Sequence, residues 1–162
     1  MLSAESSFRR RQDGRFRLRY KCQILDTIGL QSMNESVRVL ITDDQQPTRQ
    51  GLMALLGLIS RIEIIGEAVN GQEAVLMTEK HHPDVVLMDM QMPVMDGLQA
   101  TRLIKTRWPE IKIIALSIYP AYRTEALKAG VDGFLLKGCA AEVLQTTILE
   151  ANSSSVQNAQ ER

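Results

Sequence analysis

Val85-Val86-Leu87-Met88-Asp89 is four apolar residues closed by a carboxylate. A strand buried on both faces, as in a parallel sheet, reads as such an uninterrupted apolar run. Upstream, Gly71 opens a helix to about His81, stopped by Pro83. Downstream, a helix from about Gly97 to Arg107 carries Leu98, Thr101, Leu103 and Ile104 as its buried stripe, and Trp108-Pro109 ends it. The strand-then-polar pattern recurs. Val37–Thr42 leads into Asp43-Asp44, Lys112–Leu116 into Ser117, and Gly133–Leu136 into Lys137, with one further strand at Glu63–Glu67. Between these lie helices at Thr48–Leu58, Ala121–Ala129 and Ala141–Ala151. Pro47 stands at the start of the first, Leu52, Leu55, Leu56 and Ile59 form its apolar stripe, and Gly130 suits a left-handed cap after Ala129. Five strands alternating with five helices through short loops predict an α/β fold. It is a five-stranded doubly wound parallel sheet with helices on both faces.

The chain as a whole agrees with one such unit plus appendages. It has 162 residues, 44% apolar and 23% charged, which is globular, and its formal net charge of zero gives no bulk attraction for nucleic acid or an anionic membrane. Residues 36–151 form the α/β unit. Residues 152–162 read as a polar tail or linker. Residues 1–35 are an N-terminal extension, expected to be disordered or loosely docked. Strict apolar/polar alternation over residues 16–24, with Arg17, Arg19 and Lys21 on one face, offers an added edge strand as the alternative. Met33 could equally be the translation start. Cys22 and Cys139 have neither disulfide nor metal-ligand spacing. No apolar run approaches a membrane span, and the basic start lacks the apolar core of a secretory signal. The expected compartment is the cytoplasm.

In an open parallel sheet the carboxyl ends of the strands share one edge, where ligands bind. That edge would gather Asp43, Asp44, Asp89, Ser117 and Lys137. Three carboxylates so close raise one another's pKa or require a cation. With only oxygen donors beside them, the cation expected is Mg²⁺ or Mn²⁺ rather than Zn²⁺. Phosphoryl transfer needs a nucleophile, a metal and donors for the remaining charge. Asp89 can be the nucleophile, Lys137 a mobile positive charge and Ser117 a short hydroxyl donor. The plainer alternative, helix capping, accounts for Asp43 or Asp44 alone but not for Asp89 and Lys137 as well.

Asp43-Asp44, Asp89-Met90-Gln91-Met92-Pro93-Val94-Met95-Asp96-Gly97, Ala115-Leu116-Ser117 and Phe134-Leu135-Leu136-Lys137 together resemble the receiver domain of two-component response regulators, closest in appearance to LuxR-type regulators with a helix-turn-helix output. The resemblance covers about residues 36–151 and implies a flavodoxin-like sheet of strand order 2-1-3-4-5. It implies that Asp89 accepts a phosphoryl group from a phosphohistidine on a sensor histidine kinase or phosphotransfer protein. Mg²⁺ would be held by Asp44 directly, by Asp43 mainly through water, by Asp89, and by the Gln91 main-chain carbonyl. Ser117 and Lys137 would hold the phosphoryl oxygens, and Ser117 with Phe134 would form the switch. Gln91 and Tyr119 match the pair flanking water's path to the acyl phosphate. Three departures stand out: Gly138 where Pro often follows the lysine, a shorter stretch from Ser117 to Lys137, and Phe134 in place of the commoner Tyr.

The function expected is a phosphorylation-dependent signalling switch, not a metabolic enzyme, with only self-phosphorylation and autodephosphorylation at Asp89. Output would run through a partner protein or a DNA-binding domain missing from this chain. An apolar or charged patch on the last helix would be compatible with a homodimer, but Glu142, Leu144 and Ile148 decide nothing by themselves. A haloacid-dehalogenase-like phosphatase is the enzymatic alternative, but it needs a second acid two residues after the nucleophile, where Gln91 stands. A phosphorylation-independent interaction module is the third. His81-His82 is read as a helix end, and Met88, Met90, Met92 and Met95 as fillers of core gaps.

Overall fold

The computed structural model describes residues 36–159, with side chains to residue 153. The alternating segment at residues 16–24 and Cys22 lie outside the described residues. The chain runs β1 (Val37–Thr42), α1 (Gln46–Leu56), β2 (Ile62–Ala68), α2 (Gly71–His81), β3 (Val85–Asp89), α3 (Gly97–Arg107), β4 (Lys112–Ser117), a 3₁₀ turn (Pro120–Tyr122), α4 (Arg123–Ala129), β5 (Gly133–Leu136) and α5 (Ala141–Ala159). All strand pairs are parallel, in the order β2-β1-β3-β4-β5. This is the flavodoxin-like doubly wound sheet expected from the sequence.

Side chains alternate across the sheet, and each set meets a different helix layer. Val39 and Ile41 of β1, Val85 and Leu87 of β3, and Ile114 and Leu116 of β4 pack with Leu56 of α1 and Leu144 and Ile148 of α5. Leu40, Val86, Met88, Ile113 and Ala115 point the other way. They pack with Ala74 and Val75 of α2, Ala100 and Ile104 of α3, and Ala126 of α4. Leu144 and Ile148 are therefore spent on the core rather than on an exposed dimer face. Met88 and Met90 are fully buried, and Met92 and Met95 pack against the same cluster, as gap fillers should.

Local signals set the helix ends. The Asn70 side chain accepts from Glu73 N at 2.9 Å, and Asp96 Oδ1 accepts from Gln99 N at 2.8 Å, each satisfying a free N–H of a first turn. His82 closes α2 in a left-handed conformation (φ 45°), with its ring edge-on to Trp108. Gly130 closes α4 at φ 103°.

Several boundaries differ from the sequence reading. Helix α1 begins at Gln46 and stops at Leu56, so Leu58 is left exposed. On α3 the buried positions go to Ala100, Thr101 and Ile104, while Leu103 is turned outward. The helix expected from Ala121 opens instead as a 3₁₀ turn over Pro120–Tyr122, and α4 proper begins at Arg123. Helix α5 continues past Ala151 to Ala159, so the expected polar tail is helical for most of its length. No Gly or Pro interrupts that segment, and Ser153 Oγ donates back to Leu149 O (2.9 Å) rather than ending the helix. Among the described residues no helix is long and apolar enough to cross a membrane.

Candidate functional site

The strand order reverses between β1 and β3, because the chain leaves β1 for β2 on one side and builds β3, β4 and β5 on the other. The carboxyl ends of β1 and β3 therefore frame the crevice where an open α/β sheet binds ligands. Asp43 and Asp44 follow β1, and Asp89 ends β3. Asp43 and Asp89 are buried and Asp44 is half-buried, so the cluster opens to solvent on the Asp44 side.

Lys137, directly after β5, reaches back across the sheet edge. Its Nζ lies 2.7 Å from Asp43 Oδ2 and 3.1 Å from Asp89 Oδ2. Its backbone N–H donates to Ser117 O at 2.9 Å, which fixes the lysine beside β4. Asp43 Oδ1 accepts from Gln45 N (2.8 Å). Asp43 Oδ2 is buried and takes no well-angled hydrogen bond despite its closeness to Nζ, so that contact is an ion pair rather than a directed bond. Burial raises the Asp89 carboxyl above its ordinary pKa, against the opposing pull of the Lys137 ammonium, and the Asp43 charge adds to the rise. For Lys137, burial works to lower the ammonium, but its pairing with Asp43 and Asp89 outweighs this and raises it.

The three carboxylates each offer an oxygen within 4.8 Å of the others. Among the described residues, this is the one group of three or more His, Cys, Asp or Glu side chains that could hold a metal. One ammonium cannot neutralise three carboxylates, and Asp43 Oδ2 is a buried acceptor without a directed donor. An all-oxygen set of this kind fits a hard divalent cation.

Ser117 is buried at the end of β4, on the same edge. Its Oγ accepts from Tyr119 N (3.0 Å), so the hydroxyl caps its own loop. Phe134 on β5 is half-buried against the α2/α3/α4 cluster, with the Arg123 guanidinium 5.9 Å from its ring centre. Gln91 curls back over the site, its N–H donating to Asp89 Oδ1 at 3.3 Å. Its carboxamide Nε2 donates to Tyr122 Oη at 2.8 Å. Tyr119 is about half exposed, tilted against Tyr122 with 6.3 Å between ring centres.

Two backbone features hold the Asp89 loop. A Cβ at position 97 would collide with the Asp89 carbonyl, so only glycine lets α3 start this close to β3. Met95 N donates to Pro93 O (2.8 Å) across Val94, whose φ is 70°. This is a positive-φ γ-turn centred on a β-branched residue, a strained arrangement.

Sequence reasoning missed Arg49, Val94 and Tyr122. Arg49, buried on α1, donates through Nη1 to Asp43 O (2.9 Å) and through Nε to Glu67 Oε2 (2.9 Å), pinning the loop that carries the acidic pair. An arginine on a helix reads as solvent-facing unless the tertiary partner is known. Tyr122 likewise gave no periodic signal.

Residues 39–149 match the family described as response regulator receiver domain. Among similar proteins, the transcriptional regulatory protein LnrK of Bacillus subtilis is 37% identical over 122 residues, covering 74% of this chain and 56% of the relative. The transcriptional regulatory protein DegU of Brevibacillus brevis is 38% identical over 117 residues, covering 70% and 50%. The chain thus spans about half the length of these curated relatives. Among solved structures, the signal receiver domain of NarL from Mycobacterium tuberculosis superposes with a TM-score of 0.70 at 32% identity, over 74% of this chain and 98% of that one. A LuxR-family DNA-binding response regulator from Staphylococcus aureus gives 0.68 at 32% identity, over 72% and 98%.

Proposed function

The chain belongs to the response regulator receiver domain family of two-component signalling proteins, and from that premise we propose that Asp89 is its phosphoacceptor. The observation that carries the reading is the Lys137 ammonium, 3.1 Å from Asp89 and 2.7 Å from Asp43 beside a three-carboxylate cluster. The donor is a phosphohistidine of a sensor histidine kinase or phosphotransfer protein. An Asp89 carboxylate oxygen attacks phosphorus as the P–N bond breaks, and the departing imidazole keeps the electron pair and takes up a proton. Lys137 shifts its charge onto a phosphoryl oxygen, and the Ser117 hydroxyl donates to another. Asp43, Asp44, Asp89 and the Gln91 main-chain carbonyl would hold Mg²⁺, with Mn²⁺ a substitute. When bound, the ion supplies positive charge against the phosphoryl oxygens.

The only chemistry assigned to the chain itself is gain and loss of this phosphoryl group. Movement of Ser117 toward the phosphate empties space near β5, and Phe134 shifts its packing into it, against the present contact with Arg123. This biases a two-state face of α4, β5 and α5. Binding of DNA is assigned to an output domain beyond the receiver, in keeping with relatives described as transcriptional regulators, and the working compartment is the cytoplasm.

The test is incubation with phosphoramidate or acetyl phosphate and Mg²⁺, read by intact mass. Wild type should gain one phosphoryl group, labile to hydroxylamine as an acyl phosphate is, and Asp89→Asn should gain none. Equal labelling of both proteins refutes Asp89 as acceptor.

A further inference from the structure

Beside the acidic cluster the surface forms a shallow cavity of about 380 Å³, walled by Asp44, Gln91, Met92, Pro93 and Tyr122. A second, of about 420 Å³, is lined by Gln91, Tyr119, Ala121, Tyr122 and Glu125. Tyr122 and Gln91 line both cavities, so the pair stands between them beside Asp44. The pair is joined by one bond, from Gln91 Nε2 to Tyr122 Oη at 2.8 Å. It spans two loops that the sequence separates, one after β3 and one after β4. Tyr122 can reach because the 3₁₀ turn at Pro120–Tyr122 starts α4 abruptly, and its ring is anchored against the core cluster under α4.

We infer that Tyr122 is a positioning residue that holds the Gln91 carboxamide away from the acyl phosphate and so prolongs the phosphorylated state. The inference rests on the proposed role of Asp89. In hydrolysis the water oxygen bonds to phosphorus while the bond from phosphorus to the Asp89 oxygen breaks. The electron pair returns to the carboxylate, and the water proton leaves with inorganic phosphate. A glutamine free to accept from that water orients it, as GTPases do with a glutamine. Gln91 stands two residues from Asp89 with its backbone already bonded to that carboxylate. Its carboxamide is engaged by a phenol instead. An exposed neutral hydrogen bond of this kind restrains a side chain by roughly two- to tenfold in population.

The experiment compares dephosphorylation rates of wild type, Tyr122→Phe, Gln91→Ala and the double variant, after loading with phosphoramidate and Mg²⁺ and removal of donor. Tyr122→Phe keeps the ring and the wall but not the acceptor, and should speed loss of the phosphoryl group roughly two- to tenfold. In the Gln91→Ala background the same change should have no effect, because the clamp acts only through Gln91. A purely structural tyrosine would act equally in both backgrounds. The Gln91 side-chain amide resonances of unphosphorylated protein give a second reading, and should move in Tyr122→Phe. Unchanged decay in Tyr122→Phe, or equal acceleration in both backgrounds, overturns the inference while leaving Asp89 as acceptor. A protein that takes no phosphoryl group at all overturns the reading of the site and this inference with it.

Discussion

Replacing Asp89 by Asn should make the metal-free protein more stable, although the substitution deletes an ion pair. Lys137 lies 3.1 Å from Asp89, which at an effective dielectric of about 20 is an attraction of about 5 kcal/mol. Asp43 and Asp44 oppose it from no more than 4.8 Å, each by about 3.5 kcal/mol on the same scale, with the half-buried Asp44 share reduced by solvent. Attraction and repulsion nearly cancel, and the cost of burying the Asp89 charge remains, which agrees with the raised pKa of that carboxyl. Asparagine keeps an oxygen for the Gln91 N–H and leaves Lys137 paired with Asp43. We therefore expect Asp89→Asn to gain about 1–2 kcal/mol in urea unfolding with EDTA present, at unchanged m-value. Mg²⁺ should reverse the order. At a hundredfold excess over its dissociation constant it should stabilise wild type by about 2.7 kcal/mol and the variant by clearly less. A variant less stable than wild type in EDTA, or a wild type indifferent to Mg²⁺, refutes the reasoning.

Two further outcomes follow from the loops that hold the site. Val94 is well exposed at φ 70°, so Val94→Gly relieves strain without losing packing and should raise stability by about 1 kcal/mol in chemical denaturation; a loss of stability would show the turn to be unstrained. Arg49→Met keeps the buried stem but removes the donors to Asp43 O and Glu67, and should cost about 2 kcal/mol. It should also weaken Mn²⁺ binding several-fold in a direct titration, because the acidic pair loses the bond that fixes its loop; unchanged affinity would limit Arg49 to a structural part.

The class of fold was legible because parallel strands leave a mark that needs no partner. Val85–Asp89 is buried along its whole length, and no alternating pattern competes with that reading. Helix ends were less legible. Pro120 and the Ser-rich segment after Ala151 were read from composition, whereas the 3₁₀ turn and the continuation to Ala159 depend on local bonds that composition does not display. Leu103 and Ala100 show the same limit: two neighbouring helical positions both fit an apolar stripe, and only the facing helices choose between them.

For this protein the sequence alone determined which strand ends share one edge of the sheet. Each of Asp43, Asp89, Ser117 and Lys137 stands at the carboxyl end of a strand, and parallel pairing must bring such ends to one edge. Tertiary structure decided how they meet. Asp43 Oδ2 faces an ammonium without a directed bond, Arg49 turns inward to hold the Asp43 carbonyl, and Tyr122 closes on Gln91 across two loops. Those contacts join elements far apart in the chain, through distances and angles that no periodicity encodes.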